Sequence, residues 1–402
     1  MLSSIHKQCA RAQVLLLFAM SLPILIGFTG LGIDLGLAFL TRANLSKAVD
    51  AAALAAMRNF SLGQAQAEAI AQSVFNTNYG SGIGRDSAPP VFNINMTTDA
   101  NNNPVVNVSA SVSINTLFLR VLSGFNTLKV ASSAQATRPH LIMSLVLDKS
   151  GSMNLNGGAQ ALPPAVDNFL TYFDNNTDEI ADVSFSSVAN VDVSIRTNFL
   201  NAITKAVNKM PFGGATYSEG GLLDGQAQID GVSVSAGENV VKVAVFFTDG
   251  WANTVQDTLN CPPSKLLNFG GCAPPEQAAG WCSGISFMNP NTGNSQSCGA
   301  TQFPSQLAGG PQSLTEANIS NDAMYRSVQI ANNMREQGIV IYSIGLGDKI
   351  SQAFLQQIAN DPASSTFNPN EPIGQAVFAP TASDLDAVFQ SIASEILLRL
   401  SQ

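Results

Sequence analysis

The chain has 402 residues, of which 12% are charged and 45% apolar, a balance that predicts a folded protein with material for one large domain or two smaller ones. Its 28 Asp and Glu outnumber 19 Lys and Arg, and the net charge of -9 argues against nucleic acid as a partner, because phosphate contacts need clustered positive charge.

The N-terminal segment is dominated by an uncharged run. After Lys7 and Arg11, the 22 residues Ala12 to Ile33 contain no charge. A helix of that length crosses a hydrocarbon core of roughly 30 Å. A cleaved signal peptide is the nearest alternative, but the run is longer than a usual signal h-region and no small-x-small cleavage site follows it closely. Lys7 and Arg11 on one side face Arg42, Lys47 and Arg58 on the other, so charge counts do not set the orientation. Gly32 and Gly36 give a small-xxx-small spacing, read as lipid-facing filler in preference to a helix-pairing face. Asp34, at the end of the run, is expected to reach water. The following TRANLSKAVDAAALAAMRNF predicts an Ala-rich continuation of the same helix, because alanine has the best helix propensity and no Gly or Pro interrupts it. Residues 1–60 are therefore an anchor with a helical extension. Residues 32–57, GIDLGLAFLTRANLSKAVDAAALAAM, resemble the start of TadE/TadG-like proteins of tight-adherence (Flp) pilus assembly.

Residues 61–139 read as a small β-rich connector. Apolar residues recur at every second position in VVNVSASVSI (Val105 to Ile114), and TLKVASSAQA at 127–136 repeats the pattern more weakly. Between them NTLFLRVLSGF predicts a helical turn ending at Gly124. A spacer role is the expectation, since nothing here assembles a site.

Residues 140–400 alternate strand and helix. Strands are predicted near 141–147, 181–186, 191–196, 240–247, 339–344 and 375–379, with helices near 161–173, 198–209, 217–228, 315–337, 351–360 and 382–399. The alternation predicts an α/β fold, an open, doubly wound, mostly parallel sheet that binds ligands at the carboxyl ends of its strands. Two such ends carry oxygen-rich side chains. LIMSLVLDKSGSM closes on Asp148, Ser150 and Ser152, and VVKVAVFFTDG closes on Asp249. Between them PFGGATYSEGG places Thr216 in a glycine-rich loop, where bare backbone can approach a ligand. Hydroxyls and carboxylates without sulfur or imidazole suit a hard cation, Mg2+ first, with Mn2+ or Ca2+ as alternatives.

The order DKSGS, GGAT, FTDG is similar to the metal-ion-dependent adhesion site of von Willebrand factor A domains, over roughly residues 140–400. The resemblance implies a Rossmann-like fold, Ser150, Ser152 and Thr216 as direct ligands, Asp148 and Asp249 fixing waters, and an open metal position that accepts a partner's carboxylate. Capping of the next helix is the competing reading for the strand-end acid and serines, and a purely structural metal is another.

Residues 251–311 form an insertion just after the Asp249 strand and hold Cys261, Cys272, Cys282 and Cys298. The spacings of 10, 9 and 15 intervening residues lack zinc knuckles, so two disulfides with open connectivity are preferred over a zinc site or free thiols. Disulfides need an oxidising compartment. That places the N-terminus in the cytoplasm and the rest outside, and the resemblance to Flp pilus-assembly proteins implies a single-pass protein of a bacterial inner membrane with its bulk in the periplasm. The insertion is expected as a partner-selecting rim or as a tolerated surface loop.

No enzyme is expected. The two histidines are His6 and His140, the latter read as a solvated linker residue, and the serines have no nucleophile-elbow context. Gly-x-Gly falls in the uncharged run, and there is no P-loop lysine motif. The expected function is a membrane-anchored module of pilus assembly that binds an acidic group of a protein partner through the cation. An envelope or matrix adhesin unrelated to pili is one alternative. A metal-assisted hydrolase using Asp148 and Asp249 is the other, without a visible general base near the metal.

Overall fold

The computed structural model describes residues 2–60, 63–99, 103–121, 124–236, 238–259, 276–282, 285–288, 295–297 and 301–400, with the backbone alone at 2–17, 19, 23, 258, 259 and within 276–297. The chain divides into two compact units, one up to Arg138 and one from Pro139 to Leu400.

The first unit is built on α1 (Leu2–Arg58), an uninterrupted helix of 57 residues. Between Met20 and Arg58 it is long and apolar enough to cross a membrane. Its C-terminal part packs Leu45, Ala48, Val49, Ala52, Ala53 and Ala56 into a core with α2 (Gln64–Tyr79) and an antiparallel sheet. The sheet has the order β1 (Val91–Thr98), β2 (Pro104–Asn115), β3 (Thr127–Thr137). Along β2 the alternation is borne out: Val106, Val108, Ala110, Val112 and Ile114 face the core. The sequence reading passed over α2, whose buried face is Ala67, Ala71, Phe75 and Tyr79. Its first half is rich in alanine, which gives little apolar contrast. Residues 119–121 make a single 3-10 turn. Asp34 departs from expectation. It is 2% exposed, and its carboxylate accepts N–H bonds from Leu117 at 2.7 Å, Phe118 at 2.9 Å and Leu119 at 2.7 Å. Three aligned donors replace the water it was expected to reach.

The second unit begins with β4 (His140–Asp148), followed by α3 (Gly158–Leu170), β5 (Glu179–Phe185), β6 (Ala189–Arg196), α4 (Leu200–Val207), α5 (Ser218–Asp230) and β7 (Val240–Thr248). Then come β8 (Val255–Leu259), β9 (Glu276–Cys282), β10 (Ile285–Met288), β11 (Ser295–Ser297), β12 (Gln302–Ser305) and β13 (Gly310–Ser313). The unit closes with α6 (Glu316–Glu336), β14 (Val340–Leu346), α7 (Gln352–Ala359), β15 (Gln375–Ala379) and α8 (Leu385–Arg399). The main sheet has the order β15-β14-β7-β4-β5-β6, parallel throughout except for the β5–β6 pair.

β4 is apolar on both faces because both are covered. Leu141, Met143, Leu145 and Leu147 meet α3, α4 and α8, with Leu162, Phe169, Ile203 and Phe389 in one core. Ile142 and Val146 meet α5, α6 and α7, with Leu222, Met334 and Leu355 in the other. α3 starts three residues before its expected position and also ends three earlier. Asn156 Oδ1 accepts the Gly158 N–H at 3.0 Å and so starts the helix ahead of Pro163 and Pro164. Residues 251–311, expected as a loop, hold among the described residues a four-stranded antiparallel sheet in the order β11-β10-β9-β8 and most of the β12–β13 hairpin, which runs on to Ser313.

Candidate metal centre

β4 and β7 are neighbours in the sheet, and the chain order reverses between them: β5 and β6 lie to one side, β14 and β15 to the other. That reversal leaves a crevice outside the strands' carboxyl ends. Asp148 ends β4, and Asp249 follows the last residue of β7.

Asp148 is fully buried. Its Oδ1 accepts the Ser150 N–H at 2.7 Å and its Oδ2 accepts the Thr248 hydroxyl at 2.6 Å. Ser150 Oγ and Ser152 Oγ lie 3.0 Å apart. Ser152 Oγ donates to Asp249 Oδ1 at 2.6 Å, and Asn156 Nδ2 donates to Asp249 Oδ2 at 2.7 Å. Thr216 is held by its own N–H, which donates to Asn253 Oδ1 at 2.7 Å, and it lines one cavity with Ser152 and Asp249. All five residues singled out in the sequence therefore meet at one crevice.

The loops are tied by backbone. Gly213 N–H donates to Lys149 O at 2.8 Å and Gly151 N–H to Gly214 O at 3.0 Å. Gly214 has a φ of +88, and a Cβ there would stand 2.6 Å from Ser187 Oγ, so a glycine is required. Asp148 is pushed from 3.8 up to about 7, by burial first and the charge of Asp249 second, against the bonds from Thr248 and Ser150. Asp249 is also raised, chiefly by burial. Two acids crowded out of water call for a positive charge, and the surrounding hydroxyls supply oxygen donors only. The residues thus fit a hard divalent cation.

The cavity is about 560 Å³ and is also lined by Trp251, Glu316, Ser320 and Lys349. Asn156, Asn253, Glu316 and Lys349 escaped the sequence reading. The two asparagines lie close beyond the motifs, but Asn is equally a turn residue, so nothing marked them. Glu316 and Lys349 come from α6 and the segment after β14, with no local signal at all. His140 is not a solvated linker residue. It opens β4, and its Nδ1 lies 2.8 Å from Glu238 Oε1. Asp148 lies eight steps along the strand from it, about 26 Å at ~3.3 Å each, so it cannot serve the motif serines.

Residues 143–264 match the family model of the von Willebrand factor type A domain. The chain carries a von Willebrand factor A domain. Residues 12–59 match a second model, Flp pilus-assembly TadE/G-like. No curated protein matches the chain. Solved structures that resemble it include the pilus adhesin SpaC from Lactobacillus rhamnosus GG, with 18% identity, 77% of this chain and 35% of that chain covered, and a TM-score of 0.44. The A domain of the type V pili tip protein Mfa5 from Porphyromonas gingivalis has 16% identity, coverage of 66% and 98%, and a TM-score of 0.44. The PilB minor pilin from Streptococcus sanguinis has 14% identity, coverage of 77% and 79%, and a TM-score of 0.45. The chain spans about a third of the length of SpaC.

Within the A domain, the insertion is tied to α6 by side chains of that helix, Arg326 and Asp322 foremost. Arg326 Nε donates to Asp322 at 2.6 Å, and its Nη2 donates to Asp257 at 2.7 Å and to Pro304 O at 2.8 Å. Asp322 in turn accepts from Ser305 Oγ and the Leu307 N–H, both at 2.8 Å. Phe303 and Val255 add apolar contacts within the α5–α6–α7 core. Glu219, half-buried nearby, is pushed up to about 6 chiefly by its partial burial, against the pull of Arg326. Cys261, Cys272 and Cys298 and the side chain of Cys282 lie outside the described residues, so the expected disulfides do too.

Proposed function

We propose that the chain is a membrane-anchored, protein-binding module of tight-adherence pilus assembly, which takes an acidic side chain of its partner through a divalent cation. The observation that carries this reading is the crevice between β4 and β7, where Ser152, Thr216 and Asp249 present oxygen to a cavity open to a ligand and the hydrogen-bonded Ser150 and Asp148 lie buried just behind them. Ser150, Ser152 and Thr216 would hold the ion, while Asp148 and Asp249, already engaged by hydrogen bonds, would orient its waters. Bound there, the cation supplies a positive, exchangeable position suited to a carboxylate; Mg2+ is the first choice, with Mn2+ or Ca2+ able to replace it. The pairing of a TadE/G-like segment with the A domain supports the pilus setting. The apolar stretch of α1 supports single-pass anchoring, with the N-terminus in the cytoplasm and the A domain in the periplasm of a bacterial inner membrane. Binding is preferred to turnover because the histidine of this unit stands at the opposite end of β4.

The test is calorimetric titration of the full chain in lipid nanodiscs with Mg2+ and Mn2+, beside the Ser150→Ala, Ser152→Ala double variant. Saturable uptake that the double variant loses supports the site. A folded chain that takes up neither ion refutes it.

A further inference from the structure

We propose that the β2–β3 loop, in its described residues 116–121 and 124–126, inserts its apolar side chains into the lipid bilayer beside α1, so that the protein meets the membrane through two elements. The inference rests on the anchoring reading above. It starts from where the loop touches the helix. A Cβ on Gly30 would stand 2.5 Å from Phe118 Cβ, so the loop lies directly against α1 at that level. Gly30 is inside the uncharged run of residues 12–33, three residues before its end, or about 4.5 Å along the helix axis. Wherever the run sits in a bilayer, the loop must sit at nearly the same depth.

The surfaces around the contact are those of a lipid-facing site. Beyond Asp34, α1 remains apolar and outward-facing, with Leu35, Phe39 and Leu40 exposed by 53%, 72% and 54%, and the next charge is Arg42. On the loop, Phe118, Val121 and Phe125 are exposed by 42%, 84% and 54%. In water such side chains would gain nothing from exposure; in a bilayer each is already in its preferred medium.

The polar groups are arranged to match. Lipid offers no partners to backbone N–H groups, and a carboxylate at that depth needs donors. Asp34 and the three N–H groups of Leu117, Phe118 and Leu119 satisfy one another at 2.7 to 2.9 Å. This explains an acid inside an apolar exterior and a loop whose polar backbone turns inward while its apolar side chains turn out. Arg120, exposed, has the length to carry its guanidinium to the phosphate level.

The test uses the full chain in phosphatidylcholine vesicles, with single tryptophans introduced at three exposed positions and the signal of Trp251 and Trp281 subtracted with the unsubstituted protein. Val121→Trp reports the loop and Phe28→Trp reports the uncharged run. Thr97→Trp is the water control, since its partner in the sheet, Val105, lies ten residues, roughly 33 Å, from the loop end of β2. Lipids brominated near the carbonyl end or near the methyl end of their acyl chains are the quenchers. The expected result is blue-shifted emission from Val121→Trp with loss of most of its intensity to the shallow bromines, quenching of Phe28→Trp, and an unaffected Thr97→Trp. Quenching of Phe28→Trp with none of Val121→Trp overturns the loop inference and leaves the anchor standing, the loop then being in water or under a protein partner. No quenching of Phe28→Trp overturns the anchoring reading, and the loop inference with it.

Discussion

Asp182 gives the sharpest test of how this fold carries charge. It sits in the middle of β5, is fully buried, and neither carboxylate oxygen has a hydrogen-bond partner. Burial first, then the charge of Asp192, pushes it from 3.8 up to about 8, with Lys149 pulling the other way. The folded chain therefore keeps a proton that the unfolded chain releases. For a raised acid, stability is unaffected below the unfolded value, falls as pH climbs from about 4 to about 8, and then stays low. Each tenfold gain in proton affinity on folding is worth ~1.4 kcal/mol, so the ceiling on that loss is about 6 kcal/mol. Asp182→Asn keeps the shape and removes the titration, at about 1–3 kcal/mol for an amide that is itself unpartnered. The parent and the variant should therefore have similar stability near pH 5, and the variant should lead by several kcal/mol near pH 8. Guanidinium denaturation across this range, followed by tryptophan fluorescence, measures the difference, because Trp251 and Trp281 both fall within residues 139–400. Other acids titrate in the same window but cancel between the two proteins. Parallel pH profiles for parent and variant would refute the reasoning.

Further outcomes follow from the same geometry. Arg326→Met leaves Asp322 buried without its cation, so it should cost roughly 3–5 kcal/mol, read as a lowered midpoint of guanidinium denaturation. Asn156→Ala removes a donor from Asp249 and the first bond of α3 together, and calorimetry should show cation affinity lowered by about 10–100-fold. Free Mg2+ at about 100 times its dissociation constant should raise unfolding stability by ~2.7 kcal/mol, reversed by chelator and absent from the Ser150→Ala, Ser152→Ala variant.

The parts of the fold that were legible are those where one physical pattern repeats. Strands covered on both faces read as mostly apolar runs, and β4 and β7 did so despite Ser144 and Lys242, up to the residue where the oxygen donors begin. The oxygen-rich crevice was legible for a related reason: a buried strand that ends in Asp, Ser and Thr changes its chemistry in one step. What was missed lacked contrast or locality. α2 buries Ala67 and Ala71, side chains too small to register as an apolar face. Lys349 reaches the cavity from a segment 100 residues beyond Asp249, and only the parallel pairing of β14 with β7 brings the two together. Asp34 was read against water because its partners are backbone N–H groups more than 80 residues away, which no side-chain pattern announces.

The buried acids, set side by side, separate structure from function. Asp34 is satisfied by three N–H groups and Asp322 by Arg326, Ser305 and Leu307. Asp148 and Asp249 each have hydrogen-bond donors, yet both stay raised because they are buried together at the crevice, with the charge of Asp249 adding to the burial of Asp148. Adding further donors would lower each acid but leave the mutual repulsion in place; a cation shared by the pair removes it. Asp182 has neither donors nor a cavity like that of Asp249, so burial keeps it protonated. Charge removal at the two kinds of site should therefore have opposite consequences. At Asp182 it relieves the fold, whereas at Asp148 or Asp249 it should weaken the proposed cation site.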